Sequence, residues 1–198
     1  MDLTATLLST GWASGVNAYL TVAVLGILGR AGVGPVPEDL QSDGVIAAAI
    51  VMFAIEFVVD KVPWLDSSWD SIHTIVRPAI GSFVGLSFAG DANPGGMNEV
   101  LAAGGSGGTA LVSHAVKAGI RLGVNASPEP FSNIAVSLGE DALVLVVATF
   151  AINHPVLAAS IAAVLLVVGL CIVVLLWKTV RRAFRKRRSM AGRDPPGA

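Results

Sequence analysis

From Pro155 to Trp177 the chain carries no charged side chain, and at Lys178 it turns abruptly basic. A helix rises 1.5 Å per residue, so about 20 such residues cross the roughly 30 Å hydrocarbon layer of a bilayer; a buried helix of a soluble domain needs only about 10–14. The pattern recurs in five further segments, about 3–29, 44–62, 71–90, 97–122 and 134–153. Hydrophobic residues make up 54% of the 198 and charged residues 14%, against about a quarter charged in soluble domains. A water-soluble fold is excluded, and no length is left for a separate soluble domain. The expected fold class is all-α: a polytopic membrane helix bundle of about six spans over 1–177, followed at 178–198 by a basic cytoplasmic tail without fixed structure.

The net charge of −1 hides an asymmetry, because residues 178–198 hold eight of the 13 Lys/Arg and only Asp194 among the acids. Lys178, Arg181, Arg182, Arg185, Lys186, Arg187 and Arg188 follow the last span directly, the pattern of a cytoplasmic stop under the positive-inside bias. Attraction to anionic lipid head groups explains this run next to a membrane span, and no nucleic-acid partner is expected. An even number of spans puts the N-terminus inside as well, and the Pro-rich, acidic 30–43 loop outside. These features place the chain in a bacterial inner membrane. The N-terminal segment has no positive leader region, and Trp12, Ser14 and Asn17 interrupt its apolar run, so it reads as a retained span. The single cysteine, Cys171, lies in the last span and reads as a packing residue. Turn clusters are expected at 91–96 and 125–130.

Gly11-Trp-Ala-Ser-Gly15 in the first segment and Gly104-Gly-Ser-Gly-Gly108 in the fourth are both rich in small residues; the second and fifth segments carry an acid each, Glu56 and Glu140. This suggests two three-span halves, 1–92 and 93–177, inverted relative to one another. The glycines either let helices pack closely or mark a broken or re-entrant helix, and the density at 104–108 favours local unwinding there.

Polar residues are few and patterned. Glu56 and Asp60 stand four apart, and after Pro63 come Asp66, Asp70, His73 and Arg77 at spacings of four, three and four. Such spacings put each set on one helix face, which must avoid lipid. Asp66, Asp70 and His73 offer ligands for a divalent metal. Alternatively, Asp66 and Asp70 serve the start of the third helix with Arg77 as counter-ion, or Glu56, Asp60 and His73 relay a proton or ion. In the fourth segment His114, Lys117 and Arg121 share a face; they would neutralise the acids or hold an anionic group, although Arg121 is near enough to the helix end to snorkel to the surface. Glu140 and Asp141 are adjacent in the fifth span, so only one can aim straight at a shared cavity. Asn17 completes the polar centre.

The ordered set Glu56, Asp60-Lys61-x-Pro63-x-x-Asp66-x-x-x-Asp70-x-x-His73-Thr74-x-x-Arg77-Pro78, then His114-x-x-Lys117-Ala-Gly-x-Arg121, Asn125-x-Ser127-Pro128, Ser132-Asn133 and Glu140-Asp141 resembles a bacterial family of multi-spanning membrane proteins catalogued as a domain of unknown function. The resemblance covers the chain to about residue 177. It implies the membrane topology and the importance of these polar positions, and it carries no activity. The leading expectation is a small secondary transporter or flippase for an anionic or lipid-linked substrate, proton- or cation-coupled. Its binding residues would be Asn17, Glu56, Asp60, Arg77, His114, Lys117, Arg121, Glu140 and Asp141. A membrane-embedded enzyme acting on a lipid phosphate, with Mg²⁺ or Zn²⁺ on Asp66, Asp70 and His73, and a non-catalytic scaffold are the alternatives. A homo-oligomer is compatible with each.

Overall fold

The computed structural model describes residues 2–62, 65–92, 97–125 and 130–191, and no strand occurs among them. Pro63, most of the turn clusters expected at 91–96 and 125–130, and the tail end at 192–198 lie outside the described residues. The helices are α1 (Leu3–Val16), α2 (Ala18–Arg30), α3 (Glu38–Gln41), α4 (Asp43–Val59), α5 (Leu65–Ala92), α6 (Met97–Asn125), α7 (Pro130–Asn153) and α8 (Pro155–Ala191). All six apolar segments are thus helical. Within α5, α7 and α8, the stretches Leu65–Gly90, Phe131–Asn153 and Pro155–Thr179 are each long and apolar enough to cross a membrane. The fold is an all-α membrane bundle.

Three expectations are corrected. The 104–108 stretch does not unwind: α6 runs through it without interruption. Each helical glycine costs about 1 kcal/mol relative to alanine, but an unsatisfied backbone group in hydrocarbon costs several, so the helix persists. The break falls instead in the first segment, at Asn17. The basic tail is not structureless from 178, because α8 continues to Ala191.

α1 is central, touching α2, α5, α6, α7 and α8. Ten of its residues are buried, and its polar side chains satisfy themselves locally: Thr6, Ser9 and Thr10 hydroxyls donate to carbonyls one turn back, at 2.7–2.9 Å, a way for Ser and Thr to sit inside a helix bundle. One apolar core joins Trp12, Ala13, Val16 and Leu20 to α7 and α8; a second joins Val22 and Leu25 to Leu40, Ala49, Val84 and Phe88. α4 and α8 are peripheral. Ile50, Val51, Val58, Val164, Val167 and Leu175 all face outward, a surface suited to lipid chains and not to water. Cys171 is on this outward face, not packed inside as the sequence suggested.

Candidate functional site: a buried charged centre at a broken helix

Asn17 ends one helix and starts the next. Its backbone is extended, at φ −148° and ψ 98°, and its N–H still donates to the Ala13 carbonyl. Its Oδ1 accepts from the Leu20 N–H at 3.0 Å, capping α2, while its carbonyl accepts from Thr21. The last carbonyls of α1 therefore lose helical donors, and cations from other helices replace them. Lys117 Nζ donates to the Val16 carbonyl at 3.0 Å and Arg77 Nη1 to that of Gly15 at 3.4 Å. Positive charge there also meets the negative end of the α1 dipole. On the other side, Asn17 Nδ2 donates to Asp141 Oδ1 at 2.9 Å, bringing a carboxylate to the N-terminal end of α2.

Close approach of α6 makes this possible. A Cβ on Gly15 would collide with the Ala110 carbonyl and the Ser113 hydroxyl, and one on Gly11 with the Ser106 carbonyl. Ser113 Oγ lies 3.0 Å from the Trp12 carbonyl. The Gly-x-x-x-Gly spacing of α1 is thus a helix-packing device.

Arg77 is fully buried and binds three ways: Glu56 Oε1 at 2.6 Å, Asp70 Oδ1 at 3.2 Å and His114 Nδ1 at 2.7 Å. A guanidinium has no lone pair to offer, so His114 accepts at Nδ1. Its proton sits on Nε2, which donates to the Asp70 carbonyl at 3.1 Å. One turn on, Lys117 lies 2.8 Å from Asp60 Oδ2, 3.6 Å from Glu140 Oε2 and 3.7 Å from Glu56 Oε1. All five N–H groups of Arg121 have partners: Nε and Nη2 on Glu140 Oε2 at 3.2 and 2.6 Å, Nη2 on Asp60 Oδ2 at 3.4 Å, and Nη1 on the Asp60 carbonyl and Asn133 Oδ1, both at 2.8 Å.

Nine residues picked from the sequence, Asn17, Glu56, Asp60, Arg77, His114, Lys117, Arg121, Glu140 and Asp141, meet in this centre. Glu140 turns to α6 and Asp141 to the break in the first segment, as their adjacency requires. Arg121 is 1% exposed and does not snorkel; the carboxylates of α4 and α7 hold it inside. Nor does it present a free fork to an anion.

The metal site is also corrected. Asp66, Asp70 and His73 do share one buried face of α5, but they part to different partners: Asp66 to Asn125 Nδ2 at 2.9 and 3.0 Å, Asp70 to Arg77, and His73 to Tyr19. Among the described residues no group of three or more His, Cys, Asp or Glu is placed to hold a metal. Spacings of four and three separate residues by about 6 and 4.5 Å along a helix axis, and no second element closes the set. His73 donates from Nδ1 to the Trp69 carbonyl at 2.8 Å, so its Nε2 accepts from the Tyr19 hydroxyl at 2.9 Å. Tyr19 was not picked from the sequence. Its signal is that it is the only tyrosine and stands two residues after Asn17.

Charge does not balance here. Among the described residues six carboxylates (Glu56, Asp60, Asp66, Asp70, Glu140 and Asp141) face three buried cations (Arg77, Lys117 and Arg121), with Lys61 half-exposed at the edge and acting on Asp60 and Asp141, and both histidines are hydrogen-bonded as neutral rings. Glu56 Oε2, Asp60 Oδ1 and Asp141 Oδ2 are buried without a hydrogen-bond partner. Charge left uncompensated away from water is costly. A cavity of about 120 Å³ beside Asp70, Thr74 and Arg121 reaches the centre between α5 and α6.

The model of one protein family, described as a domain of unknown function (DUF4126), matches residues 4–176. The match contains the whole charged centre. No curated protein and no solved structure matches the chain.

Proposed function

We propose that this chain, which belongs to the DUF4126 family, is a small secondary membrane carrier coupled to protons or to a cation. The observation that carries the reading is the surplus of carboxylates over cations around the helix break at Asn17. Discontinuous helices of this kind put backbone dipoles and freed carbonyls next to transported ions. Lys117 supplies a switch, with three carboxylates on three sides at 2.8–3.7 Å. Neutralising Asp60 would shift it towards Glu56 and Glu140, and its hold on the α1 carbonyl would move with it. A carrier needs two such states of similar free energy. By the positive-inside bias we place the tail in the cytoplasm and the bundle in a bacterial inner membrane.

Reconstitution tests the reading. The protein is inserted into liposomes enclosing a pH-sensitive dye, and sodium, potassium or proton gradients are imposed. The expected result is an ion-coupled proton flux that falls to the level of empty liposomes in Glu56→Gln and Asp141→Asn. Absence of flux in the native protein, with intact cellular function of both variants, sinks it.

A scaffold is the second reading, supported by the complete engagement of Arg121 by protein groups. The exchanged pair Asp60→Lys with Lys117→Asp separates the two. A scaffold keeps its cellular function through the exchange, whereas a carrier loses flux because the α1 carbonyl loses its cation.

A further inference from the structure

Between α6 and α8, with α1 as floor, lie two cavities beside the charged centre. The larger, about 470 Å³, is lined by Leu8, Trp12, Gly105, Gly108, Val112 and Ala163, among others. The smaller, about 190 Å³, shares Trp12 and ends at Lys117 and Glu140, its two charged lining residues. The larger volume lies in the range of about 300–1,000 Å³ typical of ligand sites. α6 and α8 touch where Val116 meets Gly169, Gly119 meets Val173 and Gly123 meets Leu176; toward Gly105 and Ala163 the groove opens between them.

The glycines of α6 separate by role. Gly107 packs on α5, where a Cβ would strike Ser82. Gly105 and Gly108 line the groove, and a Cβ on either would have nothing within 4 Å. Helix packing explains the first and not the other two. Their missing side chains leave room.

We infer that this groove takes an amphipathic cation, a hydrophobic amine or quaternary ammonium or phosphonium group, entering from the bilayer with its charge toward Glu140. The inference rests on the carrier reading and names its substrate class. Charge complementarity selects the occupant. Of the two charged residues at the inner end, Lys117 is committed to the Val16 carbonyl and Asp60. Glu140, whose contacts with Arg121 and Lys117 fall on Oε2, belongs to a centre in which carboxylates outnumber cations. An anion would face that excess. Trp12, the residue common to both cavities, offers an aromatic surface of the kind that attracts organic cations, and the remaining walls match an apolar body. Exchange of such a cation against protons would use the centre behind it.

The probe is tetraphenylphosphonium, with tetraphenylborate as the ion of equal shape and opposite charge. Binding to the purified full chain in detergent is measured by equilibrium dialysis. Saturable binding of the phosphonium is expected, weakened at least tenfold by Gly108→Leu, by Ala163→Leu from the opposite wall and by Glu140→Gln. The borate should not compete. Size-exclusion profiles and melting temperatures like those of the native protein show that the two leucine variants remain folded; if one does not, the other carries the test. Equal binding of both ions, no saturable phosphonium binding, or phosphonium binding unchanged by the folded leucine variant overturns the inference. If it is overturned while the gradient-driven proton flux persists, the carrier stands with another substrate. If that flux is absent as well, both fall.

Discussion

Arg77 and Arg121 differ in how completely they are held, and substitution should expose the difference. Arg77 rests chiefly on Glu56 at 2.6 Å, with Asp70 farther away at 3.2 Å. Removing one partner of a buried pair costs about 3–5 kcal/mol, because it strands the other charge. Glu56→Gln should therefore lower the melting temperature of the detergent-solubilised protein more than Asp70→Asn does. Equal shifts would show that Arg77 shares its charge evenly between the two acids. At Arg121, lysine keeps the charge but loses the planar fork of five donors. Arg121→Lys leaves Asn133 Oδ1 without its donor, while the Asp60 carbonyl keeps Asn133 Nδ2 at 3.1 Å. About 1–3 kcal/mol per orphaned group should appear as a lower midpoint in thermal unfolding. The polar residues themselves were legible, since charge in an apolar span is rare. Their pairing was not: spacing shows that Asp66, Asp70, His73 and Arg77 share a face, but not that Tyr19 and Asn125 arrive from elsewhere to part the acids from the histidine.

The elements show the same division. Helices could be read from apolar length, and all six segments are helical. The break could not be located. Gly104-Gly-Ser-Gly-Gly108 is a run of poor helix formers, yet it stays helical, while the first segment breaks at a single asparagine. The difference lies outside the first segment: Arg77 and Lys117, far away in sequence, replace the donors that the α1 carbonyls lose. Small residues in the two helices should accordingly respond in opposite ways. Gly15→Leu drives a side chain into Ala110 and Ser113 and should abolish a monodisperse peak in size-exclusion chromatography, by separating α1 from α6 and withdrawing Lys117. Gly105→Ala adds a methyl group that meets no protein atom. It should leave the profile unchanged and raise the melting temperature slightly, because alanine favours helix by about 1 kcal/mol over glycine. An equal loss in both variants would mean that the groove closes in the membrane.

For the whole molecule, the bundle and its charge asymmetry make a topology that labelling can check. α8 carries its apolar surface outward along the span, and its only thiol, Cys171, is part of that surface. A water-borne reagent does not reach a thiol that faces the hydrocarbon layer. In intact membranes Cys171 should resist maleimides and react only after denaturation. Cys171→Ser then provides a background without a thiol. Ser42, exposed just before α4, and Thr179, exposed just past the apolar part of α8, lie at opposite ends of the proposed orientation. A charged, membrane-impermeant maleimide added to intact spheroplasts should label Ser42→Cys and leave Thr179→Cys unlabelled until the membrane is opened. The reverse pattern would turn the bundle over. The basic residues after Trp177 would then lie outside, against the bias that retains Lys and Arg in the cytoplasm.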